Sequence, residues 1–349
     1  MSALARVVWG TMRAPVVLLL VLYAATGTVV GGSTSSWTLL RAVLVVLPFL
    51  AYSAVVNDLA DVRVDRVNLP ADAQRVLARG AAHRRHLWGV ATVSLASSLV
   101  AAASLGRAAL GVALAGLVVS TAYSLDPVRL ARRGVLAPLA LPACYVATPY
   151  VTGVLAARGR VVASDLPLLV ALYLGFVGRI ILKDFRDVRG DALFGKRTFL
   201  VRHGRLWTCR VSAAFWAGGA ALLVWARPHA TVAWVLSTVA GTVLALVLIH
   251  QLAVATDRRR EEWLVSALAI VGRGLLVVLL VDLGTPVAGV PSVVGALVVA
   301  GFALAFGGQA LQMRRHGPTS GPTSGPISPR RPRQQVPAQG ADAAYRLVR

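Results

Sequence analysis

The chain has 349 residues, 57% of them hydrophobic, with a mean hydropathy of +0.70 and only 14% charged residues, against roughly 25% in an average chain. That composition excludes a soluble globular protein. The formal net charge of +22 does not mark a nucleic-acid binder either, because the arginines fall between apolar runs rather than along an aromatic-studded face.

Apolar runs follow one another at Pro15–Gly31, Trp37–Val56, Leu87–Leu105, Ala109–Tyr123, Val135–Leu155, Leu166–Leu182, Val211–Trp225, Thr231–Ala255, Leu264–Leu283 and Val290–Phe306. Such runs read as membrane-spanning helices, for which about 20 residues suffice. They are continuous rather than short and alternating, so a barrel is excluded. No cleavage segment follows the first run, which therefore reads as a span and not a secretion signal. The expected fold is an all-α polytopic membrane protein with ten candidate spans.

With the N-terminus inside, the inner loops are Asn57–His86, Ser124–Gly134, Asp184–Trp207 and Thr256–Trp263, and each carries clustered arginines. The outer loops hold few, such as Arg107, Arg158, Arg160 and Arg227. Positive residues accumulate on the cytoplasmic side, so both termini are expected there. The location expected is a cell membrane, bacterial by its Arg-, Ala- and Val-rich composition. Cys144 and Cys209 lie in or beside apolar runs, without metal-ligand spacing, and read as small core residues. Residues 1–312 form the expected transmembrane domain. Residues 313–349 carry a Gly-Pro-Thr-Ser repeat followed by Arg330, Arg331 and Arg333. They read as a disordered, basic cytoplasmic tail able to touch anionic lipid.

Acids are scarce, and six of the fourteen Asp and Glu residues form two matching groups. Asp58, Asp61 and Asp65 follow Asn57, and Asp184, Asp187 and Asp191 repeat the same i, i+3, i+7 offsets. On a helix those offsets put three carboxylates on one face. Both groups begin where an apolar run ends, on the expected inner surface. Carboxylates so close repel unless a cation offsets them, and oxygen-rich sites suit Mg²⁺. A single Asp would read equally well as a helix cap or a solvated residue; two clusters of equal spacing at equivalent membrane positions do not. Neither has the alternating ligands and closing Glu of a calcium-binding EF-hand. Paired metal–carboxylate sites are what a diphosphate leaving group requires.

These motifs resemble the UbiA superfamily of intramembrane prenyltransferases. The segment from Lys183 to Asp191, continuing through Phe194-Gly-Lys-Arg-Thr198, is similar to that family's second signature. Arg13 with Pro15 is similar to its early Arg-Pro, and Arg75 to Gly80 to its Arg-Pro-Leu-x-x-Gly, with Val76 replacing proline. Tyr123-Ser-Leu-Asp-Pro-Val-Arg129 resembles its Tyr-Ser-x-x-Pro-x-Arg connection. The resemblance covers roughly residues 13–283. Where many members place a lysine two positions after that arginine, this chain has Ala131, with Arg132 and Arg133 as substitute cations.

The resemblance implies a UbiA-like helical bundle of nine or ten transmembrane helices with a cytoplasmic cap, which transfers a prenyl group from a polyprenyl diphosphate to a small acceptor, an aromatic one among the candidates. It implies Mg²⁺ held by Asp58, Asp61, Asp65, Asp184, Asp187 and Asp191. Asp58, Asp61 and Asp187 would act catalytically, and Asn57, Arg13, Arg129, Arg179 and Lys183 would bind substrate. Lys183 and Lys196 are the only lysines in the chain, and Arg179 shares a helix face with Lys183. Intramembrane charge is costly, which favours a functional role for Arg179; Arg273 is left outside the site. His83 and His86 read as a surface cluster, and Tyr145 and Tyr150 as packing. The partners expected are the donor, the acceptor and membrane lipid, with no nucleic acid. A terpene cyclase of the same superfamily, or transfer to a phosphorylated sugar, is the nearest alternative. A transporter or lipid-binding protein is the alternative of another class, and it would show repeat symmetry with helices broken at the midplane.

Overall fold

A computed structural model describes residues 12–68, 77–78, 80 and 82–316. All ten expected runs are helical. In chain order they are α1 (Ala14–Val30), α2 (Ser36–Asn68), α3 (Arg84–Leu105), α4 (Arg107–Ser124), α5 (Leu136–Pro142), α6 (Thr148–Arg158), α7 (Leu166–Ile180), α8 (Asp184–Leu193), α9 (Phe199–Trp225), α10 (Val232–Val254), α11 (Arg258–Ala288) and α12 (Ser292–His316). α5 and α6 form one span joined by a π turn at Ala143–Ala147, and α7 runs into α8 through a 3₁₀ turn. Among the described residues nine helical segments are long and apolar enough to cross a membrane, and α1, at 17 residues, is the short tenth.

Several helices run further than their apolar stretches. α2 has 33 residues, about 50 Å at 1.5 Å per residue, against a hydrocarbon layer of about 30 Å. Its last turns therefore stand clear of that layer, and they carry the first acidic cluster on helix rather than in the expected loop Asn57–His86. The second cluster is likewise helical, on α8. α9 begins twelve residues before the expected Val211, and it is kinked at Gly204, whose φ of 77° is non-helical. The expected domain boundary at residue 313 falls inside α12, which runs to His316; residues 317–349 lie outside the described residues, as do Arg75 and Val76.

Packing follows membrane rules. The outer faces carry exposed apolar side chains such as Trp37, Val100, Trp225, Leu236 and Leu304. Inside, small polar groups join helices: Ser120 donates to Ser53 (2.8 Å), Ser98 to the Val45 carbonyl (3.0 Å) and Ser212 to the Gly178 carbonyl (2.6 Å). α1 and α6 meet backbone to backbone. A Cβ at Gly27 would overlap the Tyr150 carbonyl, and one at Gly153 the Ala24 carbonyl. This contact seats α1, and with it Arg13 at its N-terminus.

Strands were not expected, yet two residue pairs form a minimal parallel ladder. β1 (Arg133–Gly134) pairs with β2 (Arg197–Thr198). It ties the connection after α4 to the connection before α9, at the end of the bundle that holds the acids.

Candidate active site

The first cluster sits on the last turns of α2 with Asp58, Asp61 and Asp65 all buried. Their spacing aims them inward, where cations from distant segments meet them. Arg13 Nη2 donates to Asp58 Oδ1 at 3.1 Å. Arg129 Nη2 donates to Asp61 Oδ1 at 2.9 Å and to the Ala60 carbonyl at 3.1 Å, while its Nη1 reaches Asp126 Oδ2 at 3.2 Å. Arg129 holds a left-handed φ of 36°, which is uncommon outside glycine and costs on the order of 1 kcal/mol. Three charge-assisted contacts offset that strain.

Lys196 joins the two clusters. Its Nζ lies 3.3 Å from Asp61 Oδ2 and 3.5 Å from Asp191 Oδ1. Burial opposes the ammonium charge, yet Asp191 and Asp61 outweigh it and raise the lysine above its usual range. Read from the sequence alone, Lys196 was only an available cation and not a site residue; its partner Asp61 is 135 residues away, a separation that spacing does not reveal.

The second cluster lines a space of about 420 Å³ whose wall includes Asp184, Asp187, Asp191, Lys183, Lys196 and Tyr123. Lys183 Nζ is 3.8 Å from Asp187 Oδ2. Ala131, where a lysine was expected, lines the same space. Arg132 is exposed, Arg133 donates to the Val128 and Pro127 carbonyls, and the cations on the wall of that space are Lys183 and Lys196.

Not all expected residues converge. Asn57 precedes Asp58 and is partly buried; Asp58, Asp61 and Asp65, with Arg13 and Arg129, are not on the wall of that space, which the first cluster meets only through Lys196; and Arg179 faces a different cavity. Tyr145 stacks on Phe176 at 5.9 Å, and Tyr150 is fully packed and donates to the Asp165 carbonyl at 3.2 Å. His83 and His86 lie side by side at the start of α3.

Among the described residues no three acidic, His or Cys side chains gather tightly enough to cage a metal alone. Mg²⁺ does not need that. It keeps several waters and binds through one or two carboxylates plus substrate phosphate oxygens. Asp191 Oδ1 is buried with no hydrogen bond and with only the Lys196 ammonium, 3.5 Å away, beside it, which leaves it lone pairs for a cation. Burial pushes the Asp191 carboxyl up to about 8; Lys196 lowers it, and Asp187 and Asp184 raise it further. The donor set therefore fits Mg²⁺.

A pH dependence follows. An unfolded aspartate ionises near 3.8 and folded Asp191 at about 8, so the folded state holds the proton across that window. Stability from this group is complete below the lower value and is lost as pH rises through the upper one. Without Mg²⁺, the thermal midpoint of the wild type is expected to fall relative to Asp191→Asn between about pH 4 and 8. A constant difference across that range would refute it.

A family model described as "UbiA prenyltransferase family" matches residues 15–271. The 34 kDa chain of bacteriochlorophyll synthase from Chloroflexus aurantiacus is 30% identical over 159 residues, covering 46% of this chain and 50% of that protein. Digeranylgeranylglyceryl phosphate synthase from Methanoculleus marisnigri is 31% identical over 173 residues, 48% of this chain and 57% of that protein. The chain thus spans about half the length of the curated relatives it matches. A UbiA homologue from Archaeoglobus fulgidus, solved with GPP and Mg²⁺, superposes with a TM-score of 0.64 at 18% identity, covering 83% of this chain and all of that one. Sequence family and fold agree, and the chain is a multi-helix membrane protein that belongs to the UbiA prenyltransferase family.

Proposed function

We propose that this protein transfers a prenyl group from a polyprenyl diphosphate to a small acceptor, with Mg²⁺ as cofactor. The observation that carries the reading is Lys196, one ammonium within 3.5 Å of an acid from each cluster, which makes the two motifs parts of one site. The relatives' activities and the GPP and Mg²⁺ of the solved homologue support it.

In this reading the diphosphate lies in the acid-lined space with its hydrocarbon tail running between helices. Mg²⁺, when bound, supplies Lewis-acid stabilisation of the leaving diphosphate. Asp58, Asp61, Asp65, Asp184, Asp187 and Asp191 would provide its ligand oxygens. Lys183 and Lys196 donate to diphosphate oxygens as charge develops, and Arg13 and Arg129 hold Asp58 and Asp61 in place. Tyr123, Leu141 and Ile180 on the same wall keep water from the allylic cation until the acceptor attacks it. The arginine-rich loops at this end support a site on the cytoplasmic side of a bacterial membrane, with α8 and the strand ladder as its cap and α1 to α12 as the catalytic domain.

The test is release of diphosphate by purified protein given Mg²⁺ and geranylgeranyl diphosphate, with a phenolic acid, a bacteriochlorophyll precursor and a glyceryl phosphate lipid as acceptors. The expected result is release that a chelator stops, with one acceptor alkylated. No release with any prenyl diphosphate would overturn the reading.

A further inference from the structure

The strand ladder brings like charges together. Arg133 is in register with Arg197, and the other pair, Gly134 with Thr198, is buried, so both arginines share the exposed face. Arg132 adjoins them and is exposed. Arg202, also exposed, lies against Gly134, where a Cβ would come 3.7 Å from its Cδ and 3.8 Å from its Nη1. Like charges directly opposite one another on paired strands are destabilising. Among the described residues none of these four arginines forms an ion pair. Asp126, the exposed acid of the same connection, pairs with Arg129, and Asp61 and Asp191 are buried against Lys196. The Val128 and Pro127 carbonyls orient the Arg133 guanidinium but carry no net charge.

Each strand leads directly into a span, β1 into α5 and β2 into α9. Near their starts those helices expose Leu136 and Leu139, and Leu206 and Trp207. Trp207 carries the Arg210 guanidinium 6.0 Å from its ring, and a tryptophan with a basic neighbour marks the headgroup level of a bilayer. The arginines therefore stand where lipid phosphates lie, with apolar side chains running away from them along two helices. A guanidinium fork matches phosphate oxygens, and one phosphate shared by two strands turns repulsion across the ladder into attraction. We infer that the exposed face of the ladder is a docking site for an anionic phospholipid, its phosphate bridging Arg133 and Arg197 beside Arg132 and Arg202, its chains lying along α5 and α9. The inference goes beyond the prenyl-transfer reading and does not depend on it.

Native mass spectrometry of the full chain in maltoside micelles counts bound lipid. Dioleoylphosphatidylglycerol is the probe, and dioleoylphosphatidylcholine is the zwitterionic control with the same chains. Wild type is expected to hold the probe about tenfold more tightly than the control. Arg197→Gln should weaken the probe about fivefold, and Arg133→Gln with Arg197→Gln about twentyfold, leaving the control unchanged. Arg84→Gln with Arg85→Gln, which removes two exposed arginines from the start of α3, should not alter the probe's affinity. The probe should also raise the thermal midpoint of wild type and not that of the Arg133, Arg197 double variant. If that variant does not fold, Arg197→Gln with Arg202→Gln decides the matter. Equal affinity in wild type and the ladder variants, an equal loss in the α3 variant, or a midpoint raised equally in wild type and the double variant would overturn the inference. Displacement of the probe by inorganic phosphate or by polyglutamate at matched charge would also overturn it, assigning the face to a soluble anion or to an acidic protein. Lipid binding is read without prenyl transfer, so failure of either reading leaves the other standing.

Discussion

Diphosphate release by an Asp187→Asn protein is expected to fall about a thousandfold at saturating Mg²⁺ and donor, the equivalent of about 4 kcal/mol of lost transition-state stabilisation. Asp187 lines the acid-rich space and faces Lys183 at 3.8 Å, so the substitution removes one ligand charge and leaves the lysine without its partner. The amide is nearly the same size, which separates loss of charge from loss of packing. Asp58→Asn should act alike, through the cluster that Arg13 holds. Lys196→Met should cost about a hundredfold, within the range for one lost donor to a developing anion. Steady-state release measured with thermal midpoints controls for folding. Near wild-type turnover in both aspartate variants would remove the metal–diphosphate mechanism.

The largest stability loss is expected at Arg205, far from substrate. Its Nη1 donates to the Leu252 carbonyl at 2.9 Å and the Ala255 carbonyl at 2.8 Å, its Nη2 pairs with Glu261, and its guanidinium stands 5.2 Å over Phe185. One buried side chain thus ties α9 to the end of α10, to the start of α11 and to α8. Arg205→Met removes the guanidinium from the buried Glu261 carboxylate and from both carbonyls, at a cost of about 3–5 kcal/mol. The thermal midpoint in detergent should fall by roughly 10 °C. Because Phe185 sits between Asp184 and Arg186, activity should fall with it. Adding Glu261→Met should recover part of the loss by removing the buried carboxylate whose ion pair is broken. A midpoint unchanged in Arg205→Met would show that the clamp contributes nothing.

Much of this was legible because membranes impose simple rules. Ten apolar runs became helices, nine of the helical segments among the described residues being long and apolar enough to cross a membrane, and two sets of equally spaced aspartates became two helix faces at one end. Helix ends were misplaced where hydropathy stops but hydrogen bonding does not: Asp58 to Asn68 is polar and still helical, as its i, i+3, i+7 acids would have suggested. Contacts across the chain were hidden. Nothing local announces that Lys196, rather than Arg132 or Arg133, lines the same space as Ala131, since tertiary packing brings them together. Arg179 was grouped with Lys183 by helical spacing, but a 3₁₀ turn at Ile181–Lys183 separates α7 from α8, and the two side chains line different cavities.

The two-residue ladder of β1 with β2 also bears on how this protein can be re-engineered. Arg133 is in register with Arg197 and Gly134 with Thr198, so one short rung couples the loop bearing Arg129 to the loop bearing Lys196. The chain's two halves therefore share a hinge pin at the catalytic end. A chimera that imports the second signature from a relative must import its partner loop as well, or the grafted lysine will arrive out of step with Asp61.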